Sequence, residues 1–329
     1  MHQLYAAGAR YRRRFYANHP EHRRRLTRPV VSIGNLAVGG RAKTPLTAAV
    51  ASCLLAHGER PAILSRGYAR RAPDDGVVVV REPDRITADV DRAGDEPMML
   101  ARQLDGVAVL SCRDRYLAGR LAEHHFGCTV HVLDDGFQHF QLERDVDLVA
   151  IAEADLDGAL TLPTGRLREP FDALVNADAV IALDERSAVA VTAVPVWRLT
   201  RRLGTPQLSE PGHAPVRLDA VQVLAVAGIA APDRFFADLR ASGVAVAGEM
   251  AFRDHHAYSR GDAQRIAELA RARGATLVVT TEKDLVRLLP YRPFPVPVAS
   301  IPLVATIEPA DRFDAWLMNA LADARKGSR

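Results

Sequence analysis

Short runs of valine, isoleucine and leucine recur along this chain between longer helical stretches, and that alternation constrains the fold more than any other feature. The first series is Val30 to Ile33, Pro61 to Ser65, Val77 to Arg81, Val107 to Ser111, Thr129 to Leu133, Val146 to Ile151 and Ala179 to Leu183. Helical patterns fill several gaps, at Thr44 to His57, Glu96 to Leu104 and Arg113 to His125. Strands apolar on both faces, alternating with helices, predict an α/β fold on a doubly wound, mainly parallel sheet.

A second α/β series follows. It consists of strands Val221 to Ala227, Val244 to Ala251 and Thr276 to Thr280, with helices Pro232 to Ser242 and Arg260 to Arg273. Ala193 to Pro215 holds four prolines between the two series, so a linker and domain boundary are expected there. Pro290 to Pro302 is again proline-rich, Ile301 to Ile307 is expected to pair with Val194 to Leu199 as a two-stranded hinge, and Ala310 to Ala324 to close the chain as a helix.

Composition narrows the class. Hydrophobic residues make up 48% and charged residues 25% of the 329, ordinary globular usage that argues against disorder or coiled coil. Aromatics at 6% are too few to suggest a base-stacking platform, so no nucleic acid is expected as a partner. Cys53, Cys112 and Cys128 are widely spaced and fit neither a disulfide framework nor a zinc motif; they are expected to be plain thiols of a reducing cytoplasm. No run of 18 apolar residues is present, so no membrane span is expected.

Net charge is only +3, yet residues 1–29 hold Arg10, Arg12, Arg13, Arg14, Arg23, Arg24, Arg25 and Arg28 against Glu21. With Leu4, Tyr5, Tyr11, Phe15 and Tyr16 interleaved, this basic arm suits an anionic membrane surface. A solvated helix and nonspecific nucleic-acid binding are the alternatives.

Chemistry concentrates in a few segments. Val30 to Pro45 is a buried strand, then a loop containing Gly34, Asn35, Gly39, Gly40, Arg41 and Ala42, then Lys43 and Thr44 opening a helix. Triphosphate binding requires that order: glycines admit backbone N–H groups to the phosphates, Lys43 reaches the β and γ oxygens, and Thr44 ligates magnesium. Ala37 and Ala42 stand where the usual pattern has glycine, leaving a structural glycine-rich turn open as the alternative.

Asp134 and Asp135 end an apolar strand, where carboxylates face the ligand crevice of a doubly wound sheet and can hold magnesium; solvated turn acids are the alternative. Asp95 in Gly94-Asp95-Glu96-Pro97 could orient or deprotonate a hydroxyl, or simply cap its helix. Arg115 and Arg168 are candidates for clamping phosphate charge. Asp254-His255-His256 does not suit a metal site, because adjacent histidines point apart. Thr281-Glu282-Lys283-Asp284 suits a capping turn.

Together these motifs resemble one family. Gly-Asn-Leu-x-Val-Gly-Gly near Lys-Thr-Pro, then Leu-Ser-Arg-Gly-Tyr, Gly-Asp-Glu-Pro, Leu-Asp-Asp-Gly-Phe-Gln-His, Leu-Arg-Glu-Pro, Phe-x-Asp-His-His and Thr-Glu-Lys-Asp occur in the order seen in tetraacyldisaccharide 4'-kinases. The resemblance covers about residues 28 to 290. It implies a P-loop NTPase-like fold with a second, smaller α/β domain joined by a short hinge, with ATP and Mg2+ as cofactors. The implied reaction moves the ATP γ-phosphate to the 4'-hydroxyl of a tetraacylated glucosamine disaccharide 1-phosphate, giving lipid IVA.

By position, Lys43 and Thr44 match the phosphate loop, Asp134 and Asp135 the magnesium pair, and Asp95 the catalytic base with His255 as its polarising partner. Arg115, Arg168 and Glu169 match further active-site positions. The implied organisation is a basic arm at 1–29, a P-loop nucleotide-binding domain at 30–200, a linker at 201–216, a second α/β domain at 217–300 and a return strand with C-terminal helix at 301–329. A peripheral place on the cytoplasmic face of a Gram-negative-type inner membrane follows, with no obligate protein partner. The chain departs from the family in a shorter, more cationic N-terminal segment, which implies weaker docking or another docking surface, and in Arg41-Ala42. A P-loop ATPase or ligase acting on a soluble metabolite, and a catalytically weakened nucleotide-binding module, are the alternative functions.

Overall fold

The apolar runs form strands that are buried on both faces. A computed structural model describes all residues except 40–41, 68–69, 71–75, 157–158, 190–193, 210–217, 219–220, 255 and 328–329. It divides into two compact units, Met1–Thr200 with Ala305–Arg329, and Arg201–Val304.

In the first unit the strands are β1 (Val30–Asn35), β2 (Pro61–Ser65), β3 (Val78–Arg81), β4 (Ala108–Ser111), β5 (Val130–Asp134), β6 (Val146–Ile151), β7 (Ala179–Ala182) and β8 (Val196–Leu203). The helices are α1 (His2–Asn18), α2 (Lys43–Ala56), α3 (Val90–Ala93), α4 (Asp95–Gln103), α5 (Arg115–Phe126) and α6 (Glu185–Val189). Every position of β1, β2, β4, β5, β6 and β7 is buried. Val30, Ala62, Leu64, Leu110 and Leu133 pack with Ala118 and Ala122 of α5. Because side chains alternate across a strand, their neighbours Val31, Ile33 and Ile63 face the opposite layer, and both layers are dry.

The sheet order is β14-β8-β7-β6-β1-β5-β2-β4-β3, where β14 is Leu303–Glu308. Pairs from β4 through β8 are parallel, and β3 joins β4 antiparallel at the edge. After β1 the chain builds toward β4, returns through β5, then continues on the other side of β1 with β6. This reversal at β1 places the ligand crevice of a doubly wound sheet at the carboxyl ends of β1 and β5.

The second unit is a five-stranded sheet, β11-β10-β12-β13-β9, from β9 (Gln207–Leu208), β10 (Val223–Ala227), β11 (Val246–Ala251), β12 (Leu277–Thr281) and β13 (Val298–Ile301). All its pairings are parallel except that of β9 with β13. α7 (Pro232–Ala241), α8 (Arg260–Ala272) and α9 (Glu282–Leu288) complete it. The chain then returns through β14 to α10 (Ala310–Gly327) in the first unit.

The expected strands and helices fall within two residues of those observed at each end, except that α10 runs to Gly327 rather than Ala324 and the strand expected at Val194 to Leu199 runs from Val196 to Leu203. The expectation that Ala193 to Pro215 is linker needs correcting. Its prolines flank β8, an eight-residue strand hydrogen-bonded into the large sheet, and β9 follows at Gln207; residues 210–217 lie outside the described residues. Proline punctuated the strand ends and hid the strand between them. β8 and β14 are neighbours, so the expected hinge pairing exists as part of a sheet. Among the described residues no helix is long and apolar enough to cross a membrane.

One glycine of β1 is required by packing. A Cβ on Gly34 would lie 2.5 Å from the Phe137 Cβ and 2.9 Å from the Phe137 backbone nitrogen. Gly34→Ala is therefore expected to destabilise the protein by about 1–3 kcal/mol through overpacking against backbone that cannot swing away. Thermal unfolding measures it, and a melting temperature equal to wild type would contradict the packing.

Candidate active site

The loop after β1 is closed by its own first residue. Asn35 donates from Nδ2 to the Gly39 carbonyl at 3.2 Å, while its Oδ1 accepts from Lys43 Nζ at 3.3 Å and from Arg168 Nη2. Gly39 has φ +103°, a conformation only glycine takes without strain. Ala42 lies in the left-handed region at φ 54°, ψ 14° and precedes Lys43, the first residue of α2. The usual glycine here thus has a backbone reason, and the chain carries an alanine against it. Gly40 and Arg41, two of the candidate ligands, lie outside the described residues.

A left-handed alanine costs roughly 1–2 kcal/mol, whereas glycine's extra unfolded-state freedom costs roughly 0.5–1 kcal/mol. Ala42→Gly is accordingly expected to keep or raise the melting temperature and to leave ATP affinity unchanged or tighter. A large loss of affinity in a calorimetric titration would show that the Cβ of Ala42 supports the loop.

Lys43 is 8% exposed and reaches two groups, Asn35 and the Asp135 carboxylate at 3.1 Å. Arg168 grips the same carboxylate with both terminal nitrogens, at 3.0 and 2.7 Å. Asp135 itself has φ 54°, so a non-glycine residue holds a strained turn where the chain leaves β5. Burial would raise its pKa, but the hydrogen bonds and charges of Arg168 and Lys43 prevail and hold it well below the usual carboxylate range. Its neighbour Asp134 goes the other way: burial and the Asp135 charge push it up, against Lys43, Ser65 and Arg115. Two adjacent carboxylates therefore differ sharply in proton affinity, a pattern typical of a working site.

Asp134 accepts from Thr47 Oγ1 at 3.4 Å and from Ser65 Oγ at 3.1 Å. Thr47 lies one turn beyond Thr44 on α2, and Ser65 ends β2, so three elements aim at one buried oxygen pair. Thr44, Asp134 and Asp135 supply the hard oxygen donors that magnesium takes. The solvated-turn reading fails for Asp134, which is 3% exposed, while Asp135 is half-buried and held by Lys43 and Arg168.

Arg115 opens α5 and is buried; burial and Arg66 lower its pKa. Its Nε and that of Arg168 are buried with no hydrogen-bond partner, donors suited to an anion. Asp95 is the first residue of α4. Its expected N-cap role is corrected, since Gly94 is the cap at φ 91°. The Ser111 hydroxyl donates to the Ala93 carbonyl at 3.0 Å, fixing the start of α4 at the carboxyl end of β4, on the same sheet edge as the loop.

Glu169 is 3% exposed and forked by Arg13 of α1 at 2.8 and 2.7 Å, with Gln138 donating at 3.1 Å. Arg13 also stacks on Phe137 and Phe140. Arg10 pairs with Asp172, Arg24 with Asp114, and Arg25 with Glu143 and Asp145. The arm is thus not uniformly solvated: Arg10 and Arg13 hold α1, and Arg24 and Arg25 hold the segment after it, to the rest of the first unit.

A cleft of about 680 Å3 opens beside these groups. Tyr5, Gly8 and Arg12 of α1 form one wall, and Arg66, Arg113, Arg115, Asp135 and Arg168 another. His139 also lines it, and burial together with Arg115 and Arg144 pushes its pKa down to about 3, so the imidazole is neutral at physiological pH.

A family model described as tetraacyldisaccharide-1-P 4'-kinase matches residues 1–322. The chain belongs to this family. The tetraacyldisaccharide 4'-kinase of Koribacter versatilis is 40% identical over 294 residues, covering 87% of this chain and 86% of that protein. That of Geobacter metallireducens is 39% identical over 273 residues, covering 81% and 80%. The crystal structure of LpxK from Aquifex aeolicus in complex with ATP aligns at a TM-score of 0.81 with 29% identity, over 97% of this chain and 96% of that one.

Thr47 and Ser65, which touch Asp134, and Arg12, Arg66, Arg113 and Gln138, which line the cleft, are further candidates that the motifs do not single out. Ser65 and Arg66 lie inside the Leu-Ser-Arg-Gly-Tyr motif. His255, the expected partner of Asp95, lies outside the described residues. His256 is structural: its Nε2 meets Asp262 at 3.1 Å and its ring stacks on Phe252. Thr281 caps α9 by accepting from the Asp284 N–H, as the turn reading expected.

Proposed function

We propose that this kinase transfers the γ-phosphate of ATP to the 4'-hydroxyl of a tetraacylated glucosamine disaccharide 1-phosphate. The observation that carries this reading is the Lys43–Asp135–Arg168 cluster beneath a left-handed loop at the switch point of the sheet. Phosphoryl transfer needs mainly positioning and charge stabilisation. The N-terminus of α2 would face the phosphates, and Lys43 and Arg168 would bring cations to them. Asp135 holds both cations in place. Arg115 adds a buried cation with an unused donor. Thr44, Asp134 and Asp135 would hold magnesium, which would neutralise charge on the triphosphate.

Asp95 takes the proton of the attacking hydroxyl. The cationic cleft beside α1 suits an acceptor that itself carries a phosphate, with Arg12, Arg66 and Arg113 available to it.

The acceptor is a lipid, and α1 has the composition to meet a bilayer. Leu4 and Tyr11 are 79% and 71% exposed on α1, which also lines the cleft through Tyr5, Gly8 and Arg12. The enzyme works peripherally at the cytoplasmic face of an anionic inner membrane, with α1 lying in the interface. Incubation with γ-labelled ATP, magnesium and tetraacyldisaccharide 1-phosphate in detergent micelles tests the reaction. Label on the disaccharide is expected, and its absence, or equal labelling of a soluble sugar phosphate, would overturn the assignment.

A further inference from the structure

Away from the cleft, three potential metal ligands converge on the flank of α2. Cys53 lies in the last turn of α2, His57 is the residue that caps that helix four positions on, and Asp314 approaches from α10. The Cys53 thiol donates to Asp314 Oδ1 at 3.1 Å, and His57 Nε2 lies 3.9 Å from Asp314 Oδ2. One ligand atom from each residue lies within 4.8 Å of the others. We propose that Cys53, His57 and Asp314 form a binding site for a divalent cation of the zinc class.

The donor set is the basis for that choice. Thiolate, imidazole and carboxylate together select a borderline-soft ion, whereas magnesium and calcium take oxygen alone. Tetrahedral bonds of about 2.0–2.3 Å place ligand atoms roughly 3.3–3.7 Å apart, so atoms that now lie within 4.8 Å of one another would draw together by up to about 1–1.5 Å. The outer partner is already present. His57 Nδ1 is 2.9 Å from the Cys53 carbonyl, which fixes the tautomer with Nδ1–H donating and leaves the Nε2 lone pair for a metal. On binding, the sulfur–metal bond forms as the thiol proton leaves to solvent, and three protein ligands leave a fourth position for water.

His57 is exposed while Cys53 and Asp314 are half-buried, so an ion can enter from solvent. Cys53 is ten residues from Lys43, about 15 Å along the helix, so the site is distinct from the phosphate loop. Its consequence is structural: a bound ion would clip the closing helix α10 to the helix that Lys43 opens. The wide cysteine spacing hid the site, because two ligands are local and the third is 257 residues from His57.

The test is a titration of the metal-free full-length protein with Co2+ in a non-thiol reductant, ATP omitted because it chelates. One equivalent should produce a thiolate-to-cobalt charge-transfer band and the intense d–d bands of tetrahedral cobalt, both displaced by Zn2+, with a higher melting temperature in Zn2+. Cys53→Ser should abolish the charge-transfer band, and His57→Ala and Asp314→Asn should each weaken binding by more than the roughly 10–100-fold that loss of an outer-shell partner causes. Cys128→Ser, which removes a buried thiol near His131, should leave the spectrum unchanged. Should a variant fail to fold, the band and its stoichiometry in the wild-type protein still decide. No charge-transfer band, or one that survives Cys53→Ser, would overturn the proposal.

Discussion

Asp95→Asn should lower kcat for phosphate transfer by about 10²–10⁴-fold while leaving ATP affinity nearly unchanged, because an amide keeps the size of the side chain and cannot take a proton. The expectation rests on position. Asp95 opens α4 immediately after Gly94, whose φ of 91° turns the chain at that point, and the Ser111–Ala93 hydrogen bond anchors the turn to the carboxyl end of β4. A carboxylate held there by backbone stands at the crevice edge, one strand from β2 with its Ser65–Asp134 contact. The readouts are steady-state labelling of the lipid acceptor and calorimetric titration with nucleotide. A kcat within about threefold of wild type would remove Asp95 from the chemistry. A comparable loss in ATP affinity would instead place it at the nucleotide.

Much of this architecture was legible in sequence because its strands are buried on both faces, which leaves uninterrupted apolar runs such as Val146–Ile151 with clear ends. The loop was legible in kind, since Gly39 and Lys43 follow a buried strand, and its departure at Ala42 proved to be a left-handed residue rather than a cosmetic change. What stayed hidden was long-range. The strand β8 lies between prolines and buries only Leu199, with Arg198, Arg201 and Arg202 exposed, so its composition resembles a linker until β7 pairs with it. The roles of Arg13 and Thr47 depend on contacts 156 and 87 residues away. A cationic run gives no sign of which arginine is buried against Glu169 and which meets solvent. Nor can adjacency in Asp134-Asp135 show that one carboxylate faces Ser65 and Thr47 while the other faces two cations.

That division of labour between the carboxylates sets the expected result of removing Lys43. Lys43→Ala should reduce kcat/KM by about 10²–10³-fold, the usual cost of deleting one preorganised donor to developing charge, with the loss shared between ATP affinity and turnover. It should also lower the stability of the nucleotide-free protein in a pH-dependent way. Asp135 has a folded pKa below its unfolded value, so it contributes stability that is present above the unfolded pKa of about 3.9 and is lost as pH falls toward the folded one. Lys43 is one of the two cations responsible, and it also opposes the upward shift of Asp134. Removing it diminishes the first contribution and worsens the second, both at neutral pH. The melting temperature of Lys43→Ala should therefore fall below wild type at pH 7, and the gap should narrow as the solution is taken below about pH 4 and the carboxylates protonate. Arg168 still grips Asp135 in the variant, so the protein should remain folded. A gap that is constant across that range would mean that Lys43 supports the loop by packing rather than by charge, and would move the stabilising role at Asp135 to Arg168 alone.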